Sequence, residues 1–239
     1  LLLFAHTERK KIKNFSNTPI PDQNITAIAT DDTGLNWIGT LEGLICYNGK
    51  RWHTITSKNS ELPSNKILSI KIIGNIKYIG TTEGLLVIDN NAWDVYTSKN
   101  SKLPSDKIRK IIKIKDNILI ATSNGLVKYN NDFEVILSSD KNGITDDDFI
   151  SMNVDYNDVV WLGTNSGLYS FSNNIWRIYN TKNSELPNNN IWDIVIDGEG
   201  KKWIATKRGI ITILDDQWVL FNKKNTPLKT NTIKSLVYD

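Results

Sequence analysis

The stretch that decides the fold is Trp37-Ile38-Gly39-Thr40-Leu41-Glu42-Gly43-Leu44, because the chain repeats it. It returns as Tyr78-Ile79-Gly80-Thr81-Thr82-Glu83-Gly84-Leu85 and as Leu119-Ile120-Ala121-Thr122-Ser123-Asn124-Gly125-Leu126. Two further copies are Trp161-Leu162-Gly163-Thr164-Asn165-Ser166-Gly167-Leu168 and Trp203-Ile204-Ala205-Thr206-Lys207-Arg208-Gly209-Ile210. The copies begin at 37, 78, 119, 161 and 203, so the steps are 41, 41, 42 and 42 residues. Self-similarity at a fixed period of this size marks a repeat architecture.

Working outward, each period reads as four short strands. The motif itself is the second strand. Before it lies a first strand, Ile25 to Asp31, rich in β-branched residues and too short for a helix. Its copies begin at Ile67, Ile108, Phe149, Ile191 and Ile233, in phase with the motif. The turn between the two opens on Asp31 or Asp197, residues that bond their own backbone. Repeats two and three use the shorter Gly74-Asn75 and Asp116-Asn117 turns. The glycine at 43, 84, 125, 167 and 209 predicts a positive φ. A third strand follows, such as Leu44-Ile45-Cys46-Tyr47. Asn48-Gly49 then predicts a two-residue hairpin, with Asn90-Asn91, Asn130-Asn131, Asn173-Asn174 and Asp215-Asp216 in equivalent turns. The fourth strand carries Trp52, Trp93, Phe133, Trp176 or Trp218.

A polar connection, Thr56 to Asn65, leads to the next period and recurs at Thr97 to Asp106 and Thr181 to Asn190, more loosely at Lys223 to Thr232. Proline fixes its path, and the leucine before it is expected to tuck between repeats. The connection after repeat three, Ser138 to Asp148, lacks proline and carries Asp146-Asp147-Asp148. That acidic run lacks the ligand spacing of a calcium loop and reads as a solvated turn.

Four antiparallel strands per period, repeated radially, give an all-β fold: a β-propeller of four-stranded antiparallel blades, with five complete repeats plus partial blades at both ends. Lys11 to Pro19 resembles a fourth strand and its connection; Ile233 to Asp239 reads as a lone first strand. The propeller is expected over 8–239. Residues 1–7, opening Leu1-Leu2-Leu3-Phe4-Ala5, read either as a signal-peptide remnant or as part of a strand. The recurring tryptophans read as packing between blades rather than as sugar platforms, because they keep structural phase.

Composition narrows function by exclusion. The 29 basic residues are interspersed with 26 acidic ones for a net charge of +3, which argues against a nucleic-acid partner. No run of about 18 apolar residues predicts a transmembrane helix. The single cysteine, Cys46, reads as a buried, inert thiol. No phosphate loop, metal-ligand spacing or nucleophile elbow appears, so no catalytic residue, metal site or cofactor is predicted. His53, on an outer strand, reads as a plain surface residue.

Residues 25–44 and 191–210 resemble the two-component regulator propeller repeat, and the likeness recurs from about residue 11 onward. Repeats two and three depart from it: they lack the Asp-x-x-Gly turn, and Leu119 replaces the aromatic. The resemblance implies a bacterial, extracytoplasmic (periplasmic or secreted) sensor propeller without catalysis of its own. It also implies a small-molecule or oligosaccharide ligand, membrane attachment only through a segment outside this sequence, and a homodimer if the chain belongs to a sensor kinase. The alternatives are a surface scaffold for proteins or glycans and a propeller lyase.

A binding site is expected where the repeats differ. The motif turn varies through Glu42, Glu83, Asn124, Asn165 and the pair Lys207 and Arg208. The first strand varies through Arg109 and Lys110 and through Trp192 and Asp193. Trp192 is the tryptophan out of structural phase, so it is the expected stacking residue, with Asp193 and Arg109 as hydrogen-bonding neighbours.

Overall fold

The computed structural model describes residues 24–90, 92–138, 144, 148–173 and 175–238. These are all β: twenty strands in five four-stranded sheets, each with its strands in sequence order. Blade 1 is β1 to β4, Ile25–Thr30, Asn36–Thr40, Leu44–Tyr47 and Trp52–Ile55. Blade 2 is β5 to β8, Ile67–Ile73, Ile76–Thr81, Leu85–Asp89 and Ala92–Tyr96. Blade 3 is β9 to β12, Ile108–Ile114, Asn117–Thr122, Gly125–Asn130 and Asp132–Leu137. Blade 4 is β13 to β16, Ser151–Val154, Val160–Gly163, Leu168–Ser172 and Ile175–Tyr179. Blade 5 is β17 to β20, Ile191–Ile196, Lys202–Thr206, Gly209–Leu214 and Gln217–Phe221. These are the propeller blades that the period predicts. The chain divides into two compact units at Ile111 and Ile112, inside β9.

Within each unit, blades pack through the motif strand. In the first unit, Trp37, Leu44 and Cys46 of blade 1 share a core with Ile67, Ile79 and Leu86 of blade 2, and Trp93 packs against it. In the second unit, Trp161 and Leu168 of blade 4 share one with Ile191 and Ile194 of blade 5, joined by Trp218. Trp93 and Trp218 therefore pack between blades, as their phase predicts. The motif glycine lets the next blade approach. A Cβ on Gly39 would lie 2.6 Å from Ile67 Cγ2, and one on Gly163 2.5 Å from Ile191 Cγ2.

Aspartate and tryptophan lock three of the blades. Asp31 Oδ1 accepts the amides of Thr33 and Leu35, at 3.0 and 3.1 Å, while Oδ2 accepts the Trp37 indole at 3.1 Å. The same bonds join Asp155 to Trp161 (3.0 Å) and Asp197 to Trp203 (2.7 Å). A lysine from the following blade completes two of these sites. Lys77 lies 3.9 Å from Asp31 Oδ2 and over the Trp37 ring; Lys202 lies 3.1 Å from Asp155 Oδ2 and over the Trp161 ring.

Several expectations change in detail. Asn48-Gly49 does not form a two-residue hairpin. Tyr47 pairs with Trp52, so the loop is Asn48 to Arg51, and Asn48 Oδ1 caps it by accepting the Lys50 and Arg51 amides. Asp215 and Asp216, at φ 48° and 60°, do form the two-residue turn between Leu214 and Gln217. The inner strand of blade 4 begins at Ser151 rather than Phe149. No strand begins at Ile233 among the described residues; contacts of that segment with Asp193 are given below. His53 is half-buried opposite Cys46, and burial pushes its pKa down. Cys46 is buried as expected, and burial pushes its thiol pKa up. Residues 1–23 and Asp146-Asp147 lie outside the described residues.

The aspartates carry a pH dependence. Burial alone would raise the Asp155 pKa, but the bonds from Trp161, Lys202, Val159 and Asn157 outweigh it and hold the carboxyl below its ordinary value. A depressed folded-state pKa stabilises the fold above the unfolded value of about 4, and the gain is lost as pH falls through the folded value. Asp155→Asn should therefore cost roughly 1–2 kcal/mol at neutral pH. In urea denaturation the gap from the parent chain should close below about pH 4; a gap that is independent of pH would contradict the assignment.

Candidate functional site

The turn between the second and third strands is built from the motif threonine. Thr40, Thr81, Thr122, Thr164 and Thr206 are all 0% exposed. Each hydroxyl donates to the glycine carbonyl three residues on, from Gly43 to Gly209, at 2.8–3.1 Å. It also accepts a turn amide: Glu42, Glu83, Asn124, Ser166 or Arg208. The glycines hold φ between 130° and 152°. At Gly125 an added Cβ would meet the Leu137 carbonyl oxygen at 2.4 Å. With the backbone so fixed, the two residues between threonine and glycine face outward and are free to vary.

In the first unit this places Glu42 and Glu83 on one open groove of about 450 Å³, lined also by Leu41, Ser57, Ser64 and Lys66. The floor is the connection between blades 1 and 2. Leu62 is buried there, as expected, and Asn65 Oδ1 accepts the Ser57 amide at 2.8 Å. Ser64 Oγ lies 2.9 Å from Thr82 Oγ1 and donates to Glu83 Oε1 at 3.3 Å. Both glutamate side chains are exposed, so the groove offers two carboxylates and one ammonium to a ligand.

The equivalent place between blades 4 and 5 is bridged by side chains. There Asn190 Nδ2 donates to the Asn165 carbonyl oxygen and to Asn165 Oδ1, at 3.3 and 3.2 Å. The matching residues of blades 1 and 2 are Lys66 and Leu41, and leucine has no acceptor in its side chain. Ser57, Ser64 and Lys66 were missed in the sequence. Their signal was the substitution of Lys66 for Asn190 directly before the first strand.

The other expected residues do not line this groove. Arg109 is half-buried and Lys110 exposed on β9. Asn124, Asn165, Lys207 and Arg208 are exposed on the corresponding turns of the second unit. Trp192 is half-buried at the bulge between Ile191 and Asp193. Such a bulge re-aims the side chain it carries. Asp193 beside it is already engaged: Oδ2 accepts the Leu236 amide at 2.8 Å and the Ser235 hydroxyl at 3.0 Å, and Oδ1 accepts the Ile194 amide at 3.0 Å. Its role in the structure is to hold the segment after Thr232. No group of three or more His, Cys, Asp or Glu side chains is placed to hold a metal among the described residues.

Solved structures share this fold. The extracellular domain of a hybrid two-component system from B. thetaiotaomicron superposes with a TM-score of 0.72 at 16% identity, over 83% of this chain and 30% of that one. The extracellular domain of a one-component system from the same organism gives 0.62 at 21% identity, over 90% and 36%. Virginiamycin B lyase from Staphylococcus aureus, in a catalytically inactive form with quinupristin, gives 0.69 at 12% identity, over 86% and 72%. The chain spans about a third of the two sensor domains. At these identities the neighbours share the fold alone. No protein-family model matches the chain, and no curated protein does.

The engagement of Asp193 is directly measurable. Asp193→Ala should speed hydrogen exchange at the Leu236 amide at least about tenfold while the blade 5 ladder keeps its protection. Unchanged exchange at Leu236 would show that the carboxylate does not hold the segment.

Proposed function

We propose that this chain is a non-catalytic, ligand-sensing part of an extracytoplasmic propeller, and that the groove between blades 1 and 2 receives an oligosaccharide-like ligand. The observation that carries the reading is the groove beside Leu41 and Lys66, whose counterparts Asn165 and Asn190 bond to each other instead. Exposed carboxylates accept from ligand hydroxyls, while the Lys66 ammonium and the serine hydroxyls donate to them. The Leu41 side chain adds apolar surface of the sort that the flat face of a sugar covers. The sensor-domain neighbours favour sensing, and an extracellular setting suits it.

A second reading is acid–base catalysis in the same groove. Glu42 and Glu83 flank it together, and one of the fold neighbours is a lyase.

The test uses the 239-residue chain, calorimetry and a panel of neutral and amino-substituted oligosaccharides. The parent should bind one class saturably. The double variant Leu41→Asn, Lys66→Asn should close the groove and weaken binding at least tenfold with an unchanged unfolding midpoint. Equal affinity in the variant, or no binding across the panel, would overturn the reading. Chromatographic conversion of the bound sugar by the parent, lost in Glu42→Gln or Glu83→Gln, would replace it with the catalytic one.

A further inference from the structure

The loop between β3 and β4 brings a polarised carbonyl and an unengaged nucleophile side by side. Asn48 Oδ1 accepts two backbone amides, from Lys50 at 3.1 Å and from Arg51 at 2.8 Å. Both face the oxygen on which negative charge would grow if a nucleophile added to Asn48 Cγ, and paired amides stabilise such an oxyanion. The next nitrogen along the chain is the Gly49 amide. Among the described residues it donates to no acceptor, while the Gly49 carbonyl is held by the Tyr47 hydroxyl at 2.8 Å. Glycine sets no side chain beside that nitrogen, and nothing lies within 4 Å of where a Cβ would be. Asn48, Gly49, Lys50 and Arg51 are all exposed, so water and base reach the loop.

The contrast lies within the same chain. Asn124-Gly125 is the other Asn-Gly pair among the described residues. Its peptide is locked on both sides. The Asn124 amide donates to Thr122 Oγ1 at 3.1 Å, and the Gly125 carbonyl accepts that hydroxyl at 2.8 Å. Gly125 also pairs with Thr122 in the ladder, against the Leu137 carbonyl. No backbone amide bonds the Asn124 side chain among the described residues. The turns equivalent to Asn48-Gly49 carry Asn91, Asn131, Asn174 or Asp216 in place of the glycine.

We propose that Asn48 is a self-modifying site, converted to aspartate and isoaspartate by attack of its neighbour's amide. The Gly49 nitrogen bonds to Asn48 Cγ and gives its proton, through water, to Nδ2. The Cγ–Nδ2 bond breaks and ammonia leaves, which closes a five-membered imide. Water, the sole co-reactant, then opens the ring. Cleavage at Cγ gives aspartate; cleavage at the backbone carbonyl gives isoaspartate, with an added methylene in the main chain. No electrons are exchanged with any other group. The aspartate product keeps the loop, because its carboxylate accepts the same two amides in charge-assisted bonds. This site is separate from the groove of blades 1 and 2 and does not rest on the reading of that groove.

The test holds the 239-residue chain at neutral and mildly alkaline pH, with and without urea. Peptide mass spectrometry reads the exchange of amide for carboxyl, and enzymatic methyl transfer counts isoaspartate. In the folded chain Asn48 should convert at least about tenfold faster than Asn124, as two donors on the developing oxyanion predict. The difference should vanish in urea, where both are plain Asn-Gly pairs. The rate should rise with pH, because base must take the Gly49 proton. Lys50→Pro, which deletes one of the two amides, should slow Asn48 severalfold and leave Asn124 unchanged. Equal rates at the two sites in the folded chain would overturn the proposal. So would a difference that persists in urea, a rate indifferent to Lys50→Pro, or aspartate without isoaspartate, which is direct hydrolysis by water.

Discussion

The structure depends on one buried hydroxyl per blade. The motif threonine opens the turn between the second and third strands, and it is fully enclosed in all five copies. A buried hydroxyl without partners costs about 1–3 kcal/mol. Here it instead donates to a glycine carbonyl and accepts a turn amide, closing the turn from inside. The glycine must be glycine: it takes a positive φ, and its missing Cβ is where the fourth strand's carbonyl passes. Once those two positions are set, the turn itself no longer depends on the side chains of the two residues between them, which bond instead to the connection between blades, as Thr82 and Glu83 do to Ser64. That arrangement puts Glu42 and Glu83 on a groove.

The second constraint is the joint between blades. The absence of a side chain at Gly39 or Gly163 admits the isoleucine of the next blade's first strand, and an aspartate–tryptophan–lysine contact locks the same joint. Each blade thus presents a receiving face built from its second and third strands and an inserting face built from its first.

Much of this was legible in the sequence. The 41–42-residue period shows five complete repeats and the strand order within each, and the phase of Trp93 and Trp218 assigns them to the joints. Other features were hidden for physical reasons. The threonine is as regular as the tryptophan, yet its importance comes from burial and from a bond to a backbone atom, neither of which composition displays. The six-residue spacing from Asp31 to Trp37, Asp155 to Trp161 and Asp197 to Trp203 stands in the sequence, but its meaning needs the turn between them. Asn48-Gly49 misleads because Asn48 stands at the mouth of the turn, its amide donating to the Arg51 carbonyl and its Oδ1 accepting the Lys50 and Arg51 amides. Asp193 read as a ligand group because its variability is visible, whereas its bonds to Ser235 and Leu236, more than 40 residues away, are not. The groove emerged only when Lys66 and Leu41 were set beside Asn190 and Asn165.

The most direct test of the account is a comparison of Thr81→Val with Thr81→Ser by denaturant unfolding. Valine keeps the shape and loses the hydroxyl; serine keeps the hydroxyl and loses a methyl group. The account predicts that valine costs roughly 1–3 kcal/mol, with the Glu83 amide losing its exchange protection, while serine costs less and keeps that protection. Valine as stable as the parent, with the Glu83 amide still protected, would contradict it.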